Sequence, residues 1–157
     1  MYEDFVINNN RAHFLQSEKW AAFKHPQKSY TLLSKNSSGK AAGSCLVFVL
    51  PTKLKGYNIL YSPRGPIFDT PEALEDIKSQ IKKIAKKENC FTFLCDPDST
   101  ELLSDFKTAK NSPFSHLFQP LSVFRVNVNK TDEELMESFH SKARYSVRTA
   151  LKSPLVC

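Results

Sequence analysis

The sequence predicts an α/β (α+β) domain built on a mixed sheet. Three observations carry this. A hairpin signal lies near the N-terminus, a proline-opened amphipathic helix begins at Thr70 and Pro71, and strand-like segments precede and follow that helix. After a short first helix the order is hairpin, strand, helix, strand, helix, strand, helix.

Ser17 can cap a helix over Glu18–Lys24, which His25 and Pro26 stop, because the residue before proline is pushed out of the helical region. Tyr30–Leu33 reads as a strand led by an aromatic and a β-branched residue. Lys35–Lys40 (KNSSGK) turns the chain into a second strand, Ala41–Leu50, and Lys53–Gly56 turns it again into Tyr57–Tyr61. Ser62–Asp69 (SPRGPIFD) is a loop of constrained residues. Thr70 is an N-cap with proline at the first helical position. Leu74, Ile77, Ile81, Ile84 and Ala85 follow as one apolar stripe. Glu72, Glu75 and Asp76 at the start and Lys82, Lys83, Lys86 and Lys87 at the end match the helix dipole, and the lysine run reads most simply as a solvated face. Cys90–Cys95 is a buried strand broken by Asp96–Asp98, and a short helix is expected over Thr100–Lys107. Val123–Val128 alternates, with Phe124, Val126 and Val128 on one face. Thr131 and Glu134 form a capping box that opens a last helical region through Leu135, Met136 and Phe139. Arg144, Arg148 and Lys152, spaced four apart with Lys142 beside them, make a cationic ridge.

Composition narrows the function classes. With 41% apolar and 24% charged residues in 157, the chain is too apolar for wholesale disorder and long enough for a core. Glycines number only four, and neither G-x-G-x-x-G nor G-x-x-x-x-G-K-[ST] occurs, which excludes the standard nucleotide loops. The longest apolar run, Cys45–Leu50, is far short of the ~20 residues of a spanning helix. Met1–Phe5 has neither a basic leader nor an apolar segment, so a cytoplasmic protein is expected. Cys45, Cys90, Cys95 and Cys157 contain no C-x-x-C pair and read as buried free thiols; no metal and no cofactor is expected. Of the net charge of +6, residues 1–69 carry +5, from nine basic and four acidic side chains. Such an excess serves solubility or a polyanionic partner: diphosphate, tRNA or a membrane surface.

Four segments, in this order and spacing, resemble the Fem family of peptidoglycan bridge aminoacyltransferases: Phe14–Lys24 (FLQSEKWAAFK), Tyr61–Asp69 (YSPRGPIFD), Leu94–Pro97 (LCDP) and Phe139–Ala150 (FHSKARYSVRTA). The last is similar to the family's K-x-R-x-x-I-R-x-A helix, with Val147 in place of isoleucine. The resemblance implies an acetyltransferase-like (GNAT-like) module over residues 1–118 and, over 119–157, the opening strand and helices of a second, since members are roughly double this length. It implies an enzyme that moves an amino acid from aminoacyl-tRNA onto the stem peptide of a peptidoglycan precursor, either the UDP-muramyl-pentapeptide or lipid II. A C-terminal half would complete it, and the inner membrane surface is a further expected contact.

The chemistry needs little covalent help, because the aminoacyl ester is already activated; positioning, proton removal and oxyanion stabilisation remain. His13, His25, His116 and His140 have no serine or cysteine partner at a recognised spacing, so no covalent mechanism is indicated and no catalytic residue is assigned. The resemblance places Lys24 as a ligand for the precursor's diphosphate; by itself it is a solvated helix-end lysine. Arg64 is available for phosphate or carboxylate, while Gly65 and Pro66 fix a bend or let backbone approach a ligand. Asp96 can orient a substrate amine or cap the following turn. Trp20 reads as a core anchor. Lys142, Arg144, Arg148 and Lys152 are candidates for a tRNA or phosphate contact, against a solvated face whose arginines pair with Glu133, Glu134 or Glu137.

Two rivals stand beside this. A CoA-dependent N-acyltransferase would want a glycine loop opening a helix, and Gly43 and Gly56 are isolated. A non-catalytic basic module would bind RNA or a lipid-linked precursor.

Overall fold

The computed structural model describes residues 1–24, 28–97, 119 and 126–153. The expected helix over Thr100–Lys107, the stop at His25 and Pro26, Phe124, His116 and Cys157 lie outside them. The chain divides into two compact units, residues 1–121 and 122–157.

In the first unit, α1 (Tyr2–Asn8) leads through a 3-10 turn (Phe14–Gln16) to α2 (Glu18–Lys24), β1 (Lys28–Lys35) and β2 (Ala41–Pro51). Then come β3 (Asn58–Pro63), the two-residue β4 (Ile67–Phe68), α3 (Pro71–Lys87) and β5 (Cys90–Asp96). The sheet order is β1-β2-β3-β5, with β4 also beside β2. Every pairing is antiparallel except β3 with β5, so the sheet is mixed. The β1–β2 turn is held by Asn36, whose Oδ1 accepts from the Ser38 and Lys40 amides.

β2 is buried on both faces, which is why it reads as a continuous apolar run. Cys45, Val47 and Val49 pack with Leu60 against Ile77 and Ile81 of α3. Leu46 and Phe48 face the other way with Tyr61, onto Tyr2 and Val6 of α1. Each fully buried aliphatic side chain contributes about 1.5–3 kcal/mol. α3 is the helix the sequence predicts: Thr70 Oγ1 accepts from the Ala73 amide, and Leu74, Ile77 and Ile81 are buried.

The sheet opens in its middle. β3 pairs with Phe48–Pro51 of β2 and β4 with Gly43 and Ser44, so Cys45–Val47 has no strand on that edge. The fully buried Gln16 fills the gap. Its Oε1 accepts from the Leu46 amide (2.8 Å), and its Nε2 donates to the Pro63 carbonyl (2.5 Å) and Ser62 Oγ (3.1 Å). Tyr2 Oη donates to the Gln16 carbonyl (2.8 Å), tying α1 to the same point. The side chain thus supplies the hydrogen bonds of a missing strand. It also dictates Gly65: a Cβ there would lie 2.6 Å from both Gln16 Nε2 and Ser62 Oγ.

At the other end of the sheet, the Asn58 amide donates to the Asn89 carbonyl (3.1 Å), Asn58 Nδ2 to the Glu88 carbonyl (2.7 Å) and Asn89 Nδ2 to the Gly56 carbonyl. Glu88, buried just after α3, accepts from Lys28 Nζ (2.6 Å) and Tyr30 Oη (2.5 Å).

Several expectations are corrected. α1 was not expected, although Tyr2 and Val6 have helical spacing and Glu3 and Asp4 sit in its first turn. Residues 62–69, expected as a loop, supply the end of β3 and all of β4. β5 is half-buried rather than buried, being the outer strand of the described sheet.

In the second unit, Thr131 and Glu134 form the expected capping box on α4 (Asp132–Ser138). The helical region is not continuous: Phe139 is extended, and α5 (Ser141–Leu151) starts after His140, whose Nδ1 accepts from the Lys142 amide. Val126–Val128 is not a strand, and Val128 is 77% exposed. Alternation alone does not make a strand without a neighbouring ladder among the described residues.

Gln16→Ala orphans the Leu46 amide and is expected to destabilise the protein by about 2–4 kcal/mol, and Gly65→Ala by about 1–3 kcal/mol. The double variant should lose clearly less than the sum, because truncating Gln16 removes two of the three atoms the new Cβ strikes, Nε2 and Cδ; denaturant melts of the four proteins measure this. Glu88 is held below its ordinary 4.5 by the Lys28 and Tyr30 hydrogen bonds. Its stabilising contribution is therefore complete above pH 4.5 and lost as pH falls through the lower folded value. Melting temperature should fall below pH 4.5 in the wild type and fall less steeply in Glu88→Gln.

Candidate functional site

β3 and β5 run parallel and finish side by side, Pro63 opposite Asp96. The carboxyl ends of adjacent parallel strands are where open α/β sheets place their ligands. Asp96 Oδ1 accepts from the Arg64 amide (2.9 Å), and Oδ2 accepts from Tyr61 Oη (3.1 Å). Arg64 is left-handed, with φ 54°, and leads into a cis Gly65–Pro66 bond. The carboxylate holds the amide in that costly conformation. Gln119 Nε2 reaches Tyr61 Oη at 3.5 Å.

Burial pushes the Asp96 carboxyl above its ordinary 3.8, against the pull of the Arg64 amide and the Tyr61 hydroxyl. Burial also raises Tyr61, which stays a protonated donor. A carboxylate has roughly four lone-pair positions, and the Arg64 amide and the Tyr61 hydroxyl take two of them.

Lys24 stands exposed at the end of α2 with Nζ 5.2 Å from the centroid of the Trp20 ring. Trp20 stacks on Phe23 (5.4 Å) and meets Phe14 edge-on (5.5 Å). Trp20 is half-buried: it packs against the cluster containing Phe48 and Tyr61 while joining an exposed aromatic shelf. Lys24 and Arg64 are thereby linked through one chain of contacts: Lys24 on Trp20, Trp20 against the cluster that contains Tyr61, and Tyr61 and Arg64 both on Asp96.

The cationic ridge lies on α5 and at its cap. Arg144 and Arg148 are helical and Lys152 is the C-cap residue. Arg144 Nη1 donates to the Phe139 (2.6 Å) and Glu137 (3.3 Å) carbonyls, so it closes the end of α4 through backbone rather than through a carboxylate. Lys142, two residues before Arg144, projects about 200° around the helix from it and is exposed on another face.

The described histidines act as caps: His13 Nδ1 accepts from the Leu15 amide and His140 Nδ1 from that of Lys142. Cys45 is fully buried, which pushes its thiol up to about 12, and burial raises Cys95 similarly. Neither thiol is a nucleophile at neutral pH. Among the described residues no group of three His, Cys, Asp or Glu side chains could hold a metal. Gly43 lies under α3, where a Cβ would stand 2.9 Å from Ile77 Cδ1, so it serves packing and not a phosphate loop. The residues the sequence did not single out are Gln16 and Tyr61. Both lie inside the quoted motifs, but the roles of both come from pairing across the fold.

A family profile described as the FemAB family matches residues 1–122, and the chain belongs to that family. It is similar to the lipid II:glycine glycyltransferases of Staphylococcus epidermidis (30% identical over 168 residues) and of Staphylococcus aureus strain MRSA252 (30% over 167). Each alignment covers 96% of this chain but only 40% and 39% of those relatives, so the chain spans about two-fifths of their length. The crystal structure of FemX superposes with a TM-score of 0.67 at 26% identity, over 96% of this chain and 41% of that one. The mixed α/β fold observed is the one expected for this family.

Because burial disfavours its charge, Asp96 costs stability at neutral pH; the cost grows as pH rises from 3.8 through the raised folded value. Asp96→Asn keeps an acceptor for the Arg64 amide. It should melt at or above the wild-type temperature at pH 7, with the difference shrinking toward pH 3.8; a merely turn-capping carboxylate would give a lower melting temperature at pH 7.

Proposed function

We propose that this chain is the N-terminal portion of an aminoacyltransferase that moves an amino acid from aminoacyl-tRNA onto the stem peptide of a peptidoglycan precursor, UDP-muramyl-pentapeptide or lipid II. Residues 1–118 make the first module, and residues 119–157 open a second. The observation that carries the reading is Asp96, half-buried at the joined ends of β3 and β5 and fixed by Arg64 and Tyr61, in a chain of the FemAB family.

In this reading Lys24 and Arg64 take the precursor's diphosphate, lysine as a point charge and arginine through its fork of donors. Asp96 accepts from the stem-peptide ammonium and removes its proton. The free amine then forms a bond to the ester carbonyl carbon, the bond from that carbon to the tRNA ribose oxygen breaks, and the leaving oxygen takes the second proton that the nitrogen gives up as it becomes an amide. The product is an amide and a tRNA with a free hydroxyl. Arg148, Lys152 and the remaining donors of Arg144 contact the tRNA backbone, and Lys142 reaches phosphate from the other side of the helix.

The test is a thermal-shift titration with UDP-muramyl-pentapeptide on the wild type and Lys24→Ala. Ligand should raise the wild-type melt, and Lys24→Ala should weaken binding by roughly tenfold or more, the loss of one charge-assisted contact. A melt unmoved in both proteins overturns the diphosphate site. A melt raised by tRNA and not by the precursor makes the chain a non-catalytic RNA-binding module instead.

A further inference from the structure

At the end of the sheet away from Asp96, the β2–β3 connection and the α3–β5 corner are tied together by Asn58 and Asn89. A groove of about 500 Å³ opens there, lined by Leu50, Pro51, Leu54, Ile59 and Phe91, with Lys53 on its wall. Leu54 is 60% exposed, Phe91 52% and Tyr57 45%. Large apolar side chains exposed together around a concave surface mark an interaction site.

Among the described residues, the exposed charges of the two segments that meet here have one sign. Segments 49–58 and 82–91 contain six lysines and a single carboxylate, Glu88. Glu88 is buried, accepts from Lys28 and Tyr30 and also attracts Lys87, while segment 49–58, with Lys53 and Lys55, contains no carboxylate. Lys53 and Lys55 bracket the exposed Leu54, and Tyr57 follows one residue after Gly56. Exposed apolar side chains, an aromatic ring with a polar end and neighbouring lysines are what a negatively charged bilayer surface accepts. The apolar side chains meet the headgroup layer while the ammonium groups meet anionic headgroups.

We propose that this end of the molecule, centred on Leu54 and Phe91 and rimmed by Lys53 and Lys55, seats the protein on an anionic phospholipid surface. None of the residues placed in the transfer site belongs to the footprint. The two readings therefore fail separately.

The experiment is co-flotation of the 157-residue chain with vesicles free of any precursor, either pure phosphatidylcholine or phosphatidylcholine with 30% phosphatidylglycerol (~30%, chosen to supply a strong negative surface potential). Binding to the anionic vesicles and not to the neutral ones is expected. Lys53→Glu/Lys55→Glu should weaken it roughly tenfold or more, and so should Leu54→Ser/Phe91→Ser. The unchanged thermal response to the precursor is the control that each variant remains folded; a cooperative melt serves the same purpose if the precursor does not bind. Equal flotation with neutral and anionic vesicles, no flotation with either, or flotation undiminished in both double variants overturns the proposal. So does a concentration-dependent dimer that Leu54→Ser/Phe91→Ser dissolves, since a second copy would then cover the surface.

Discussion

Gln16 makes three hydrogen bonds from its side chain inside a sheet, and the rest of the first unit is arranged around them. A strand that leaves its neighbour early exposes backbone groups, and a buried unpaired amide costs about 1–3 kcal/mol. Here β3 stops pairing with β2 at Tyr61, and Gln16 takes the Leu46 amide in place of the lost strand. The same side chain holds Ser62 and the Pro63 carbonyl, and Tyr2 holds Gln16 from outside. With the gap bridged, the chain can swing away from the sheet at Pro63, turn through Arg64 and return as β4. Without the bridge, the position of the Arg64 amide against Asp96 would have no support on one side.

The two ends of the sheet are built from opposite materials. At the carboxyl ends of β3 and β5 a carboxylate stands half-buried, held by the Arg64 amide and the Tyr61 hydroxyl. At the other end the buried carboxylate, Glu88, is engaged by Lys28 and Tyr30 and the exposed groups are lysines and apolar tips. α3 runs between these ends with acidic residues at its start and lysines at its finish, so its side-chain charges complement a dipole that is positive at the start and negative at the finish. A single small unit thus presents a half-buried carboxylate at one end of its sheet and exposed lysines at the other. The ends are separated by five or six residues of strand, about 17–20 Å.

The parts legible in the sequence were those that rest on local chemistry. Thr70 with Pro71, the stripe Leu74–Ile77–Ile81, the Asn36 turn and the Thr131–Glu134 box each declare themselves within a few residues, because capping and periodicity are short-range. Tyr61 and Gln16 do not, since nothing near them in sequence says that one will meet Asp96 and the other Leu46. Phe139 failed for a related reason. Its spacing fits a helix, but Arg144 and His140 cap the chain on either side of it and divide the helix in two. Lys142 fell in with the ridge by proximity in sequence, whereas two residues along a helix is a turn to another face.

The PRGP loop shows how the site must bind an anion if it binds one. A backbone cradle for phosphate needs successive N–H groups aimed at one point. Pro63 and Pro66 have none, and the Arg64 N–H is committed to Asp96, which leaves that of Gly65 alone in the four-residue loop. Gly65 is constrained by Gln16 and Ser62, so the loop cannot widen around a ligand by accepting a larger residue. A CoA-type pyrophosphate cradle therefore has no material here. In the proposed reading a diphosphate at this loop is met by side chains and not by the loop's own N–H groups, with Arg64 in the loop and Lys24 at the end of α2 as the candidate cations. The Arg64 amide serves the carboxylate, so this loop positions Asp96 instead of cradling an anion with its own backbone.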